Sequence, residues 1–211
     1  RTLETEHAGI AALLAAMGDG LAKPFAEAVG ILAALRGRAI VTGLGKSGHI
    51  ANKIAATLSS TGTPATFVHP SEANHGDLGT ITRDDAIVAL SWSGETPELK
   101  VVVASSLPVS LPLLAVTSPP GPALGTASAV VLGLPRVAEA CPHGLAPTTS
   151  TTMQLVLGDA LAIALLEARG FTPEHFRTFH PGGQLGANLT RVGDVMHTGD
   201  AIPLVGCGTP V

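Results

Sequence analysis

Apolar positions repeat with two different periods along this chain, and the periods predict alternating helices and strands. Over residues 3–35 the spacing is helical. Leu13, Leu14 and Met17 follow one apolar face, and Phe25, Val29, Leu32 and Leu35 follow a second, so two helices are predicted. The period then changes. "RAIVTGLG" is a short β-branched run ending in glycines and predicts a strand. "HIANKIAATLSS" returns to helical spacing through Ile50, Ile54, Ala55 and Leu58. Further strands are predicted at "ATFVH" (65–69), "DAIVALSWSGE" (85–95), "LPLLAVTS" (111–118) and "SAVVLGLP" (128–135). Pro97 suits the first residue of the helix after the third strand, with Thr96 as its cap. Residues 148–169 predict a long helix, with Leu155, Ala162 and Leu166 among its buried candidates.

The strand runs lack polar alternation, so both of their faces must be covered. Strands of that kind alternating with helices predict a five-stranded parallel sheet in a three-layer α/β/α sandwich, doubly wound in the flavodoxin-like manner. The pattern stops near Arg191, where "RVGDVMHTGDAIPLV" begins something different. Residues 1–190 are therefore expected to be one domain, and 191–211 the start of another.

Composition narrows the class. The chain has 211 residues, 45% apolar and 13% charged, which fits one sizeable folded domain. Aromatics are 3% with no Tyr, so the core must be Ala, Val, Leu and Ile. A net charge of −4 with no like-charge block argues against a nucleic-acid surface. The longest apolar stretch, near Leu155–Leu166, is interrupted by Gly158 and Asp159, so no membrane span is expected. The chain opens at Arg1 and shows no signal peptide, and its native start is expected to lie upstream. Cys141 and Cys207 are far apart and form no CxxC pair, which fits a reducing cytoplasm.

Ligands of open α/β sheets bind off the carboxyl ends of the strands. Here those ends are polar: Lys46, Ser47 and His49 after the first strand, and His69, Glu72, Asn74 and His75 after the second. Ser91, Ser93, Thr96 and Glu98 follow the third, and Arg136 and Glu139 the fifth. "GLGKSG" after the first strand fits two familiar phosphate motifs and satisfies neither. A Walker loop needs a glycine where Ile40 stands inside the strand. A dinucleotide site needs an acid at the end of the second strand, where "TFVHP" places His69. What remains is a glycine turn at a helix start, Gly45 to Ser47, with free N–H groups and the Lys46 charge. "SWSGET" brings Ser91, Ser93 and Thr96 to a second helix start, and "TTSTT" brings Ser150 and Thr151 to a third. Each cluster alone reads as ordinary helix capping. Three at one sheet edge point to a phosphate on a small polyol.

The motifs "GLGKSGHIANKIAATLSSTGTPATFVHP", "EANHGDLG", "SWSGETPEL", "EACPHGLAPTTSTTMQLVLGDALA" and "FHPGGQLG" resemble the sugar isomerase (SIS) domain of bacterial arabinose-5-phosphate isomerases over roughly residues 35–198. The resemblance implies catalytic roles for Lys46, Glu98, Glu139 and His180. It implies substrate contacts at Gly62, Thr63 and His75, and a zinc position of inhibitory kind at His69. It also implies a homotetramer in which two CBS modules follow the SIS domain, with "VGDVMHTGDAIPLV" resembling the start of the first. Trp92, Asn74 and His143 depart from the family pattern. Trp92 stands where a small polar residue is expected, so the shape of the pocket there is in doubt.

The reaction the resemblance implies is interconversion of D-ribulose 5-phosphate and D-arabinose 5-phosphate, on the route to KDO and lipopolysaccharide. Such chemistry passes through a cis-enediolate. It needs a base for the carbon-bound proton, a proton shuttle between two oxygens, and positive charge near the oxyanion. No cofactor is required. Glu139 is expected as the carbon base and His180 as the oxygen shuttle, acting across a subunit interface. Lys46 is expected to steady phosphate or enediolate charge, and Glu98 to orient His180 or Lys46 or to take the base role itself. Cys141 reads as a packing residue. Two other readings stand beside this one. A non-catalytic sugar-phosphate sensor would normally add a DNA-reading domain, and residues 1–35 are too apolar for that. An isomerase of another ketose phosphate differs only in substrate. Turnover of ribulose 5-phosphate separates all three.

Overall fold

The computed structural model describes residues 1–106, 111–118, 122–180, 192–202, 204 and 208. Five parallel strands form one sheet: β1 (Ala39–Gly43), β2 (Ala65–Phe67), β3 (Ala86–Leu90), β4 (Leu113–Thr117) and β5 (Val130–Gly133). Their order is β2-β1-β3-β4-β5. β1, β3 and β4 are buried at every residue, as β-branched and alanine runs covered on two faces must be. β2 and β5 are edges and are partly open.

Helices cover the sheet on both sides. α1 (Thr2–Ala16), α2 (Ala22–Ala33), α3 (Gly45–Ser60) and α7 (Thr149–Ala168) pack on one face, around Leu32, Val41, Leu58, Val88, Met153 and Leu161. α4 (Pro70–Ala73), α5 (Leu99–Ser106) and α6 (Pro122–Ala127) pack on the other, around Ile40, Ile87, Val102 and Leu124. The three-layer, doubly wound architecture is the expected one. α1 and α2 join through a wide irregular turn, Met17–Leu21, where Gly20 takes φ 93. α7 is long and apolar enough to cross a membrane by length and composition alone, but half of its most apolar stretch is buried against the body of the fold.

α3 and α7 run side by side in the same direction. Their carboxyl ends coincide: Gly62 abuts the Phe171 ring, and Arg169 Nε donates to Thr63 Oγ1 at 3.2 Å. Midway, Gly158 meets Ile54, and Lys53 pairs with Asp159. The same register brings Ser150 to the level of Lys46 at the amino ends of the two helices. α1 lies along α7 as well, with Gly9 against Thr149 and Met153.

The local differences from the expected elements have simple causes. Leu14 is 74% exposed although Leu13 is buried, because one residue turns a helix face by about 100° and α7 covers only one side of α1. Leu155 and Leu166 are half-buried, while Met153, Leu157, Leu161 and Leu165 form the fully buried stripe of α7. α5 begins at Leu99, two residues after Pro97, with first-turn bonds from Leu99 and Lys100 to the carbonyls of Thr96 and Pro97. The Thr96 hydroxyl is bonded to Ser91 and makes no capping bond among the described residues.

The chain divides into two compact units, Arg1–Phe171 and Thr172–Val211. The boundary expected at 190/191 lies outside the described residues. In the second unit, α8 (Pro173–Phe179) is capped at both ends of its first turn. Thr172 Oγ1 accepts from His175 N–H, and His175 Nδ1 accepts from Thr172 N–H. A short α9 (Val192–Val195) follows.

Candidate active site

In a sheet of this order, the connections after β1 and β3 leave to opposite faces and open a crevice at the carboxyl edge. Backbone bonds carry the ladder past the strand ends: Val68 N–H to Val41, Ser91 N–H to Val116, Ser118 N–H to Trp92, and Leu134 N–H to Thr117. The loops that follow the strands therefore stand in one row. They carry Lys46, His69, Ser91, Glu98 and Glu139.

The start of α3 is uncovered. Leu44 is its N-cap in an extended conformation, Gly45 turns with φ 58, and no side chain caps the helix. The packing one turn in leaves no room for a Cβ atom at Gly48. One added at Gly48 would lie 2.6 Å from the Gly43 carbonyl oxygen. The first-turn N–H groups and the dipole thus face outward together with Lys46, which is exposed and makes no ion pair among the described residues. Ser47 is half-buried beside it.

The loop after β3 is shaped by its own hydroxyls. Ser91 Oγ lies 2.8 Å from Thr96 Oγ1 and accepts from Gly94 N–H at 3.0 Å, while Ser93 Oγ accepts from Glu95 N–H at 3.2 Å. Gly94 has φ 71, which a side chain would strain. Trp92 packs half-buried against the α3/α7 core. Glu98 follows in the turn before α5, half-buried and without a hydrogen bond among the described residues.

The start of α7 is occupied. Glu139 Oε2 accepts from Thr148 N–H at 2.8 Å, Thr148 Oγ1–H at 3.0 Å and Ser150 N–H at 3.3 Å. Burial works against the charge on Glu139. The Ser150 hydroxyl and the Thr148 and Ser150 groups outweigh it, and the carboxyl is held below its ordinary value. The third of the expected anion cradles is thus filled by the chain's own carboxylate, and Ser150 and Thr151 help build that clasp. Thr151 Oγ1 donates to the Thr148 carbonyl at 2.9 Å. Of the three expected helix starts, that of α3 has no side-chain cap, and the hydroxyls of the Ser91–Thr96 loop are engaged with one another and with the loop's own N–H groups. Nearby, the Cys141 thiol is drawn below its usual range by the N–H groups of Ala146, His143 and Leu145.

Other expected residues fall elsewhere. Gly62 and Thr63 lie beyond the carboxyl end of α3, at the opposite edge of the sheet. α3 has 16 residues, which separates them from Lys46 by about 24 Å. Thr63 is buried with its hydroxyl engaged by Arg169, and Phe171 covers Gly62. Within one copy of the chain they share no ligand with Lys46. His69 Nδ1 accepts from Ser71 N–H at 3.2 Å and starts α4, which leaves Nε2 as its one outward nitrogen. His75 is exposed on the turn after α4. Among the described residues no three His, Cys, Asp or Glu side chains converge as a metal site, so a zinc at His69 would find fewer than the three or four ligands it needs among them. His180 belongs to the second unit, stacked on Phe176 with Nδ1 2.9 Å from the Phe176 carbonyl oxygen.

The sequence missed Thr148. Its hydroxyl both donates to Glu139 and accepts from Ala140 N–H at 2.9 Å. The only signal was its place at the head of "TTSTT", where it read as one more phosphate hydroxyl.

A parallel doubly wound sheet with a helix-start cradle at its switch point defines a class of phosphate-ligand domains. The chain belongs to the SIS domain family, whose model matches residues 32–164. It is 51% identical over 210 residues to arabinose 5-phosphate isomerase KdsD of Pseudomonas aeruginosa, covering 99% of this chain and 63% of the relative. To arabinose 5-phosphate isomerase KdsD of Escherichia coli K12 it is 53% identical over 171 residues, 81% of this chain and 52% of the relative. The chain thus spans between about half and two thirds of the length of these relatives. The solved structure of Escherichia coli CFT073 c3406 in complex with arabinose 5-phosphate superposes with a TM-score of 0.77 at 39% identity, over 83% of this chain and 93% of that one.

Proposed function

We propose that the protein interconverts D-ribulose 5-phosphate and D-arabinose 5-phosphate through a cis-enediolate, as the names of its relatives indicate, and so serves KDO and lipopolysaccharide synthesis. The observation that carries the reading is the pairing, at the start of two parallel helices, of an uncovered cation with a carboxylate held ionised. Glu139 takes the proton from the carbon beside the carbonyl and returns it to the neighbouring carbon. The carbonyl and hydroxyl oxygens exchange one proton meanwhile, and His180 carries it, donated from a neighbouring copy in a homotetramer. Lys46 offsets the charge that gathers on phosphate and enediolate. Glu98 orients Lys46 or His180. No cofactor enters these steps. The exposed Leu3, Ile10 and Leu14 of α1 support self-assembly. Residues 191–211 open a CBS module in this reading, and the protein works in the cytoplasm.

Ribulose 5-phosphate incubated with the full-length protein in D2O should yield arabinose 5-phosphate carrying deuterium at C2 to the extent that the proton held by Glu139 exchanges with solvent before it is returned. Folded protein that gives no turnover overturns the reading. Binding of the sugar phosphate without turnover would make the protein a sensor. Sedimentation should give the mass of four chains, and Leu14→Glu should lower it.

A further inference from the structure

We propose that Thr148 is a positioning residue for Glu139: its side chain and N–H, with the Ser150 N–H, clamp Oε2 and leave proton exchange with the substrate to Oε1. The catalytic part rests on the isomerase reading, whereas the clamp rests on geometry alone.

Three donors converge on one oxygen of Glu139, at 2.8, 3.0 and 3.3 Å, and none of the three goes to Oε1. Thr148 supplies two of them. Its hydroxyl is oriented by a further bond, because Oγ1 accepts from Ala140 N–H at 2.9 Å and so turns its own proton toward the carboxylate. Ala140 follows Glu139 in the chain, so one side chain closes the loop 139–148 at both ends. Threonine suits the task, since β-branching stiffens χ1 and fixes where the hydroxyl points. The Thr148 carbonyl is tied in turn to Thr151 Oγ1 and to Thr152 N–H, which anchors the clamp to the first turn of α7. A general base must be still as well as ionised, because a small displacement removes it from reach of the proton. A carboxylate with one oxygen fixed by three donors meets both needs.

The clamp is electrostatic as well as steric. The titratable groups on the elements that meet at the α7 start are Arg136, Cys141 and His143 on the same loop, Lys46 and His49 in the first turns of α3, and Glu6 and His7 on α1. α7 carries no charged residue before Asp159. A substitution at Thr148 alters none of these charges and leaves in place the Ser150 hydroxyl, the strongest of the groups that lower the Glu139 pKa, so a change in Glu139 titration reports the Thr148 hydroxyl alone.

The test compares the full-length wild type with Thr148→Val, which keeps the shape and removes the hydroxyl, and Thr148→Ser, which keeps the hydroxyl. Side-chain carboxyls labelled with 13C at glutamate are titrated by NMR, and the Glu139 signal is assigned by its loss in Glu139→Gln. Isomerase kcat and KM are followed over the same pH range. In Thr148→Val the Glu139 carboxyl should titrate at higher pH, and the acidic limb of kcat should move up with it. At neutral pH kcat should fall about ten-fold, the scale of one lost charge-assisted hydrogen bond, with KM little changed. Thr148→Ser should restore both. An unshifted Glu139 titration in Thr148→Val overturns the proposal, and so does a valine variant with the wild-type acidic limb. If the valine variant does not fold, the wild type decides. Glu139 titrating below the ordinary carboxylate range supports the clamp, and titration within that range overturns it. A shifted titration in a protein without turnover upholds the clamp while the isomerase reading fails.

Discussion

Glu139 and Glu98 stand at the same sheet edge with opposite surroundings, and substitution should separate their roles. Glu139 satisfies the first N–H groups of α7, where a side-chain oxygen and a negative charge both stabilise a helix. Glu139→Gln should therefore abolish turnover and also cost about 1 kcal/mol of stability, read in a thermal or urea melt. Glu98 has no such partner among the described residues, so Glu98→Gln should lower turnover with the melt unchanged. Folding lowers the Glu139 pKa, so its stabilisation is fully present above the ordinary value of 4.5. It fades as pH falls through the lowered value. Stability measured below pH 4.5 should thus fall less steeply in Glu139→Gln than in the wild type. Lys46→Ala should keep the melt and, in the proposed reading, lose roughly a hundred-fold in kcat/KM, because the exposed amine holds no other residue among the described ones.

At the scale of elements, close approach of backbones decides the architecture. A Cβ at Gly158 would overlap Ile54 Cδ1, so Gly158→Ala should destabilise by about 1–3 kcal/mol. Ile54→Val makes part of that room, so the double variant should lose less than the sum of the two single changes. Element type and order were legible in the sequence because long apolar runs with β-branched residues and glycine punctuation leave little choice between strand and helix. Edges were less legible. Thr96 has the chemistry of a cap, yet Ser91 competes for its hydroxyl, and only the loop's fold reveals which partner wins. Leu155 and Leu166 read as part of the α7 stripe because the helix is mostly apolar from Met153 onward, so periodicity carries little phase. In the site, residue types were legible and pairings were not. Nothing in "TTSTT" says that a carboxylate nine residues upstream of Thr148 returns to fill that helix start. The helix predicted over 49–60 already separates Gly62 from Lys46 by a helix length, a consequence that the motif resemblance passes over.

Over the whole first unit, α7 acts as a strut between the two edges of the sheet. Its amino end clasps Glu139, and past its carboxyl end Arg169 holds Thr63 Oγ1 and the Leu32 carbonyl at 2.9 Å. The amino edge is closed separately by Asp85, which is buried and accepts from Arg38 N–H at 2.6 Å and Thr82 N–H at 2.7 Å. Asp85→Asn should destabilise the fold by about 2 kcal/mol without altering kcat, because it weakens charged bonds remote from the crevice. The contact of Gly158 with Ile54 reaches further than packing. It sets how far the α7 start stands from the α3 start, and so the gap between the carboxylate at one and the cation at the other. In the proposed isomerase reading the substrate spans that gap. Gly158→Ala should therefore change the relative turnover of sugar phosphates of different carbon number, although the glycine lies in the hydrophobic core.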